Sequence, residues 1–209
     1  MSYPSCSAEA VSNHLVLIII DGLDASGKST QGFNLSRSLK KNVRTVYLRI
    51  HPSDDNFFGA KAHQFLYQKG KSAHFASAIF YMLDVVRSVL IYSWQKYDYI
   101  IFVRYLMGTA YLPSPFHKMA YHFFASTVPT SEFMFFLDVR PEDAERRIRQ
   151  TRSQFEMFEN LEQLRKIRRK ALMLASLGKW RIIDAGKPIA EVEMEIAEAL
   201  QPSFQGVSF

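Results

Sequence analysis

Cysteine is almost missing from this 209-residue chain: Cys6 stands alone, so no internal disulfide can form. One thiol in a polar leader suits a reducing compartment, and a cytoplasmic protein is expected. Residues 1–13 lack the basic start and apolar middle of a secretory signal and read as a flexible leader. No apolar run approaches the length of a membrane span, since the longest, Phe75 to Leu83, stops at Asp84. Linkers rich in Pro, Gly or Ser are absent, as are internal repeats, so one domain over residues 1–209 is expected. His51, His63, His74, His117 and His122 have no Cys or acidic partner at metal-ligand spacing, which speaks against a zinc site.

The residues that are present have the balance of an ordinary soluble protein, 48% apolar and 22% charged. Lys and Arg outnumber Asp and Glu by 26 to 20, a formal charge of +6. Such an excess serves a nucleic-acid binder or a protein that handles polyanionic nucleotides. Aromatic and basic residues are not interleaved as in nucleic-acid binders, so neither nucleic acid nor membrane is an expected partner. Much of the excess lies between Arg146 and Lys170, whose spacing reads as a helical hairpin with most charges on a solvated face and two or three available to phosphate.

The segment that carries chemistry is Gly22-Leu23-Asp24-Ala25-Ser26-Gly27-Lys28-Ser29, which fits G-x-x-x-x-G-K-[ST] and follows the apolar run Leu15 to Ile20. Glycines at both ends let successive backbone NH groups turn inward around a phosphate chain, and the helix that follows adds its positive N-terminus. Lys28 can then reach β- and γ-phosphates while the Ser29 hydroxyl ligates Mg²⁺. ATP and Mg²⁺ are therefore the expected cofactors.

Elsewhere the chain alternates strands and helices. Leu15 to Ile20, Arg44 to Ile50, Tyr99 to Val103, Phe133 to Val139 and Trp180 to Asp184 are short and nearly continuous in apolar residues, as strands covered on both faces should be. Helices are expected from Lys28 to Lys41, Asn56 to Gln68, Ser72 to Gln95, Pro141 to Thr151 and Pro188 to Leu200. The third of these is apolar on almost every side and reads as a buried central helix. The sum is an α/β fold with a five-stranded parallel sheet, helices on both faces and a helical lid over about residues 141–160. Ligands of such sheets bind beyond the carboxyl ends of the strands, where Asp21, Arg49, Arg104-Tyr105, Asp138 and Asp184-Ala185 stand.

At these positions the chain resembles the thymidylate kinases, P-loop nucleoside monophosphate kinases. Asp21 to Gln31 is similar to their phosphate loop, including Asp24 and the trailing Thr30-Gln31, and Tyr47 to Pro52 to their second-strand Arg motif. Phe80-Tyr81 resembles the site of the Phe that stacks on thymine, Arg104-Tyr105 with Ala110-Tyr111 the Asp-Arg-Tyr segment, Phe136 to Arg149 the lid entry, and Trp180 to Ile189 the adenine-side loop. The resemblance implies transfer of the γ-phosphate of ATP to a nucleoside monophosphate, dTMP first, by a homodimer paired through the helices beside the acceptor site. It implies Gly22, Leu23, Asp24, Ala25, Ser26, Gly27, Lys28, Ser29, Thr30 and Ala185 at the donor. It implies Asp24, Arg49, Phe80, Asp84, Arg87, Arg104, Tyr105 and Tyr111 at the acceptor, with Tyr81 among the aromatics to watch. Ala25 takes the place of a loop Arg, so a lid Arg should act in catalysis beside Lys28 and Arg104; Arg149 and Arg152 are favoured over Arg147, which falls on another helix face.

Three positions depart from the family pattern. Val103 replaces the Asp before Arg104, so Asp21 is the first candidate to join Ser29 at the metal. Asp84 stands four residues after Phe80, where the family carries an Arg that reads the base; Arg87 either takes over that contact or, as favoured here, pairs with Asp84 inside an apolar helix. Gly108 replaces a small polar residue. Alternatives are a related kinase with another nucleotide or nucleoside acceptor, such as a base presenting an amino group to Asp84, and a nucleotide-binding ATPase or sensor without an acceptor.

Overall fold

Runs of β-branched and aromatic residues make the five strands: β1 (Val16–Gly22), β2 (Val46–Ile50), β3 (Tyr99–Val103), β4 (Phe133–Asp138) and β5 (Trp180–Asp184). The computed structural model describes residues 15–42, 44–68, 71–92, 95–151 and 160–201. Expectations about the leader with Cys6, and about Arg152, lie outside them. The strands form one parallel sheet in the order β2-β3-β1-β4-β5, with Ile18 opposite Ile101 on one side and Phe133 on the other. All five residues of β3, and Ile18, Ile19 and Ile20 of β1, are buried, which explains their unbroken apolar reading.

The helices are α1 (Lys28–Lys41), α2 (Phe57–Leu66), α3 (Lys71–Tyr92), α4 (Phe116–Thr127), α5 (Pro141–Thr151), α6 (Leu161–Leu177) and α7 (Ile189–Leu200), with a short 3-10 turn at Met107–Tyr111. Asn56 starts α2 by accepting hydrogen bonds from the Phe58 and Gly59 amides at 3.0 and 3.1 Å. The 3-10 turn and α4 were not among the expected elements. In α4 the exposed Phe116, Met119 and Phe123 oppose the buried Tyr121 and Phe124, and apolar residues on both faces erase the helical period. Trp180 Nε1 donates to the Tyr121 hydroxyl at 2.7 Å and ties α4 to β5.

Helix α3 corrects the sequence reading in two ways. It is not buried all round, because Phe75, Ile79, Leu83 and Leu90 are exposed at 40–62%. It also contains an 18-residue stretch, Phe75–Tyr92, of mean hydropathy 1.6, long and apolar enough to cross a membrane by length and composition. That stretch packs on α2 and carries Asp84, fully buried and hydrogen-bonded, as a helix within a folded domain does.

Candidate active site

The loop after β1 needs positive φ at three places: Gly22 (+156°), Ala25 (+56°) and Gly27 (+87°). At Gly22 glycine is required twice over, since a Cβ there would lie 2.4 Å from the Leu137 carbonyl oxygen. Lys28 begins α1, is buried, and donates to the Leu23 carbonyl at 2.5 Å, with Asp24 Oδ1 at 4.0 Å. Among the described residues no side chain caps the start of α1, and no acid stands in its first turn. The first amides of a helix are unpaired unless capped, so the loop presents donors and positive potential suited to phosphate.

Beside this loop opens a cleft with a cavity volume of about 160 Å³. Asp21, Gly22 and Asp24 form its loop end; Arg104, Met107, Gly108 and Tyr111 its floor and one wall; Pro52, His63, Leu66, Ser77, Ala78 and Tyr81 the opposite wall. Asp24 accepts from the Tyr111 hydroxyl at 2.6 Å and from Arg104 Nη2 at 3.4 Å, so one carboxylate of the phosphate loop orients two acceptor-side groups.

Arg104 has φ +58°, a conformation that costs a non-glycine residue on the order of 1–3 kcal/mol and survives only where the surroundings fix it. Its own amide donates to the Ile20 carbonyl at 3.1 Å. Its carbonyl meets His51 Nδ1 at 3.0 Å, which makes Nδ1 the protonated nitrogen. The next three amides, of Tyr105, Leu106 and Met107, all donate to Asp21 Oδ2 at 2.9, 2.9 and 3.1 Å. Burial lowers the His51 pKa to about 4, so the ring is neutral in ordinary buffers. Burial also raises the Asp21 carboxyl, against the pull of those amides and of Lys28. Asp21 is thus first an anchor for the Arg104 turn, and the oxygen it has left for a metal is Oδ1.

Several expected acceptor residues sit elsewhere. Arg49 is buried and gives both terminal nitrogens to Asp55, at 2.5 and 2.8 Å, with Asp84 at 3.4 Å; it does not line the cleft. Asp84 is fully buried and accepts from the Ser53 amide at 2.9 Å and Asn56 Nδ2 at 2.8 Å, so it holds the β2–α2 connection rather than reading a base. The favoured Asp84–Arg87 pair does not form, and Arg87 Nη1 is buried without a partner among the described residues. Phe80 stacks on Phe65, with centroids 5.7 Å apart and planes 9° apart, and leaves the cleft to Tyr81. Tyr105 points into the core and stacks on Phe102 at 5.0 Å. Val103 is fully buried against α1, where its Cγ2 lies 2.7 Å from the place a Gly32 Cβ would take.

The basic hairpin is largely spoken for by local acids. Arg146 pairs with Asp143, Arg165 with Glu142, and Arg168 grips Asp138 with two bonds of 2.7 Å. Arg149 pairs with Glu145 on an exposed face. Arg147, ranked below it from the sequence, reaches the phosphate loop: its Nη1 donates to the Ala25 carbonyl at 3.2 Å and its Nη2 to the Ala185 carbonyl at 3.1 Å. The missed signal lies in α5, where the buried residues Pro141, Ala144 and Ile148 mark the inward face and Arg147 borders it.

A parallel sheet with a glycine loop opening α1 at the end of its central strand, and a cleft joining that loop to a fixed arginine, defines a P-loop phosphotransferase. The thymidylate kinase family model matches residues 20–196, and the chain belongs to that family. It is 27% identical over 191 residues to a probable thymidylate kinase of Pyrobaculum calidifontis, covering 89% of this chain and 96% of the relative. It is 29% identical over 196 residues to that of Pyrobaculum aerophilum, covering 90% and 97%. Among solved structures, thymidylate kinase from Candida albicans superposes with a TM-score of 0.70 at 20% identity over 90% of this chain and 92% of that one, which supports the fold.

Proposed function

We propose that the protein transfers the γ-phosphoryl group of ATP to dTMP. The observation that carries this reading is the shared cleft: Asp24 of the phosphate loop is hydrogen-bonded to Tyr111 and Arg104 of the acceptor segment, so donor and acceptor ends meet in one space. Phosphoryl transfer asks of a protein chiefly position and positive charge. Lys28 exchanges the Leu23 carbonyl for donor phosphate oxygens, which the loop amides also hold. Arg104, preset by its anchored turn, binds the acceptor phosphate in line, and Asp24 takes the sugar hydroxyl. Arg147, lying over Ala25 and Ala185, is the lid-side arginine for the donor. The oxygen donors Ser29 and Asp21 suit a hard cation, and Mg²⁺ bound there would neutralise phosphate charge.

A second reading is a nucleotide acceptor other than dTMP, and one observation favours it. With Tyr81 in the cleft in place of Phe80, the residue one helical turn on is Val85, buried and apolar, where the family pattern carries a base-reading Arg. ADP formation from ATP and Mg²⁺ with a panel of nucleotides and nucleosides separates the readings. Stimulation by dTMP is expected; stimulation by another acceptor alone selects the second reading, and ADP release indifferent to every acceptor leaves only a hydrolase.

We also propose a cytoplasmic homodimer that covers Phe75, Ile79, Leu83 and Leu90 of α3, a stripe of exposed apolar side chains on one helix. Sedimentation equilibrium at micromolar concentration is expected to return twice the chain mass of 24.1 kDa. A monomer mass overturns the pairing.

A further inference from the structure

His51 stands just beyond β2, fully buried, with its ring 5.5 Å from that of Phe102 between centroids. As packing it is a poor choice. Its Nε2 is buried without a partner among the described residues, a cost that an apolar ring in the same space would not carry. What imidazole adds there is one directed N–H. The ring is neutral, because burial lowers its pKa to about 4, and its single proton sits on Nδ1, 3.0 Å from the Arg104 carbonyl.

Two peptide units flank the Arg104 Cα, and each is held at both ends. In the unit before it, the Val103 carbonyl accepts from the His51 amide at 3.0 Å and the Arg104 amide donates to the Ile20 carbonyl at 3.1 Å. In the unit after it, the Arg104 carbonyl accepts from His51 Nδ1 and the Tyr105 amide donates to Asp21 Oδ2 at 2.9 Å. The end of β1 thus takes both amides, and His51 takes both carbonyls. Remove the imidazole donor and the second unit is held at its amide alone, next to a residue at φ +58° that depends on its surroundings for that conformation.

We propose that His51 is a positioning residue for the acceptor site: its Nδ1–H fixes the peptide plane that aims the Arg104 side chain at the acceptor phosphate. The inference rests on the kinase reading above and on the place of Arg104 within it. His51 is not among the residues that line the cleft, whereas Arg104 is, so the imidazole acts through the main chain and not on the substrate. Small misplacements of an orienting group are expensive in rate, about 10²-fold for about 1 Å.

Two substitutions separate the donor from the packing. His51→Phe keeps a ring against Phe102 and removes the N–H; His51→Asn gives up most of the ring and keeps an N–H at the same bond distance from the main chain. For the nucleoside monophosphate that the wild-type protein turns over best, kcat/KM is expected to fall about 10- to 100-fold in His51→Phe, chiefly through KM, with KM for ATP within about twofold. His51→Asn is expected to return it to within about threefold of wild type. In an Arg104→Met background His51→Phe is expected to add less than about twofold, because the group it aims is gone. His51→Leu, smaller than histidine and also without a donor, repeats the measurement where Phe does not fold.

A histidine that serves the fold alone would give another pattern. Losses that follow Tm from variant to variant, that fall equally on acceptor and ATP, or that persist in Arg104→Met overturn the proposal, as do wild-type acceptor kinetics in His51→Phe. Arg104→Met by itself tests the underlying reading. If it raises acceptor KM while His51→Phe does not, His51 alone is misassigned; if it leaves acceptor KM unchanged, or if the wild type turns over no monophosphate, the reading and the inference fail together.

Discussion

Lys28→Ala lowers ATP-dependent turnover by at least about 10²- to 10³-fold, the cost of deleting one preorganised group that faces developing charge. The geometry makes this a functional loss more than a folding loss. The ammonium is buried 2.5 Å from the Leu23 carbonyl and 4.0 Å from Asp24 Oδ1, so the loop itself already neutralises it with groups that phosphate oxygens can replace. Without it Asp24 still accepts from Tyr111 and Arg104, and no buried carboxylate is stranded. Steady-state kinetics with equilibrium ATP binding provide the check. Full turnover and full ATP affinity in the alanine variant would remove the phosphate loop from the mechanism.

Asp21→Ala produces the largest expected loss of stability. One oxygen of a 2%-exposed side chain satisfies the amides of Tyr105, Leu106 and Met107, and alanine leaves three buried donors without a partner. Each stranded donor costs about 1–3 kcal/mol, and with partial relaxation the sum falls near 3–5 kcal/mol. For a chain of this size that corresponds to a fall in Tm on the order of 10 °C. Turnover falls as well, because the same amides fix the left-handed Arg104. Scanning calorimetry, with activity measured across a Mg²⁺ titration, separates anchor from ligand. An unchanged Tm with activity restored by excess Mg²⁺ would make Asp21 a metal ligand only; a lowered Tm that Mg²⁺ leaves alone identifies the anchor.

The sheet was readable in the sequence because its inner strands β3 and β4 and most of β1 are buried and so run apolar, although the edge strand β5, expected to be covered on both faces, leaves Arg181 and Ile182 exposed. The phosphate loop was readable because its glycines and Lys28 have few other uses. Partner choice across the fold was not readable. Asp84 and Arg87 have the spacing of a helix pair, yet the β2–α2 connection offers Asp84 the Ser53 amide, Asn56 and Arg49, and these win. Arg49 follows the family motif but is engaged by Asp55, six residues away on a loop whose course no periodicity reports. Phe80 and Tyr81 are neighbours on one helix, and which enters the cleft is decided by Phe65 of α2, which takes Phe80 as its stacking partner. On α5, Arg147 and Arg149 are equally basic; the position of Ile148 against the core decides which one looks inward.

The guanidinium of Arg147 spans the carbonyls of Ala25 and Ala185, which belong to turns following β1 and β5. Those strands are not adjacent, since β4 lies between them. A single side chain from α5 therefore acts as a tie-bar between the two turns, across the strand that separates them. One helix, α5, is thereby tied through a single guanidinium to two turns that no backbone pairing joins directly.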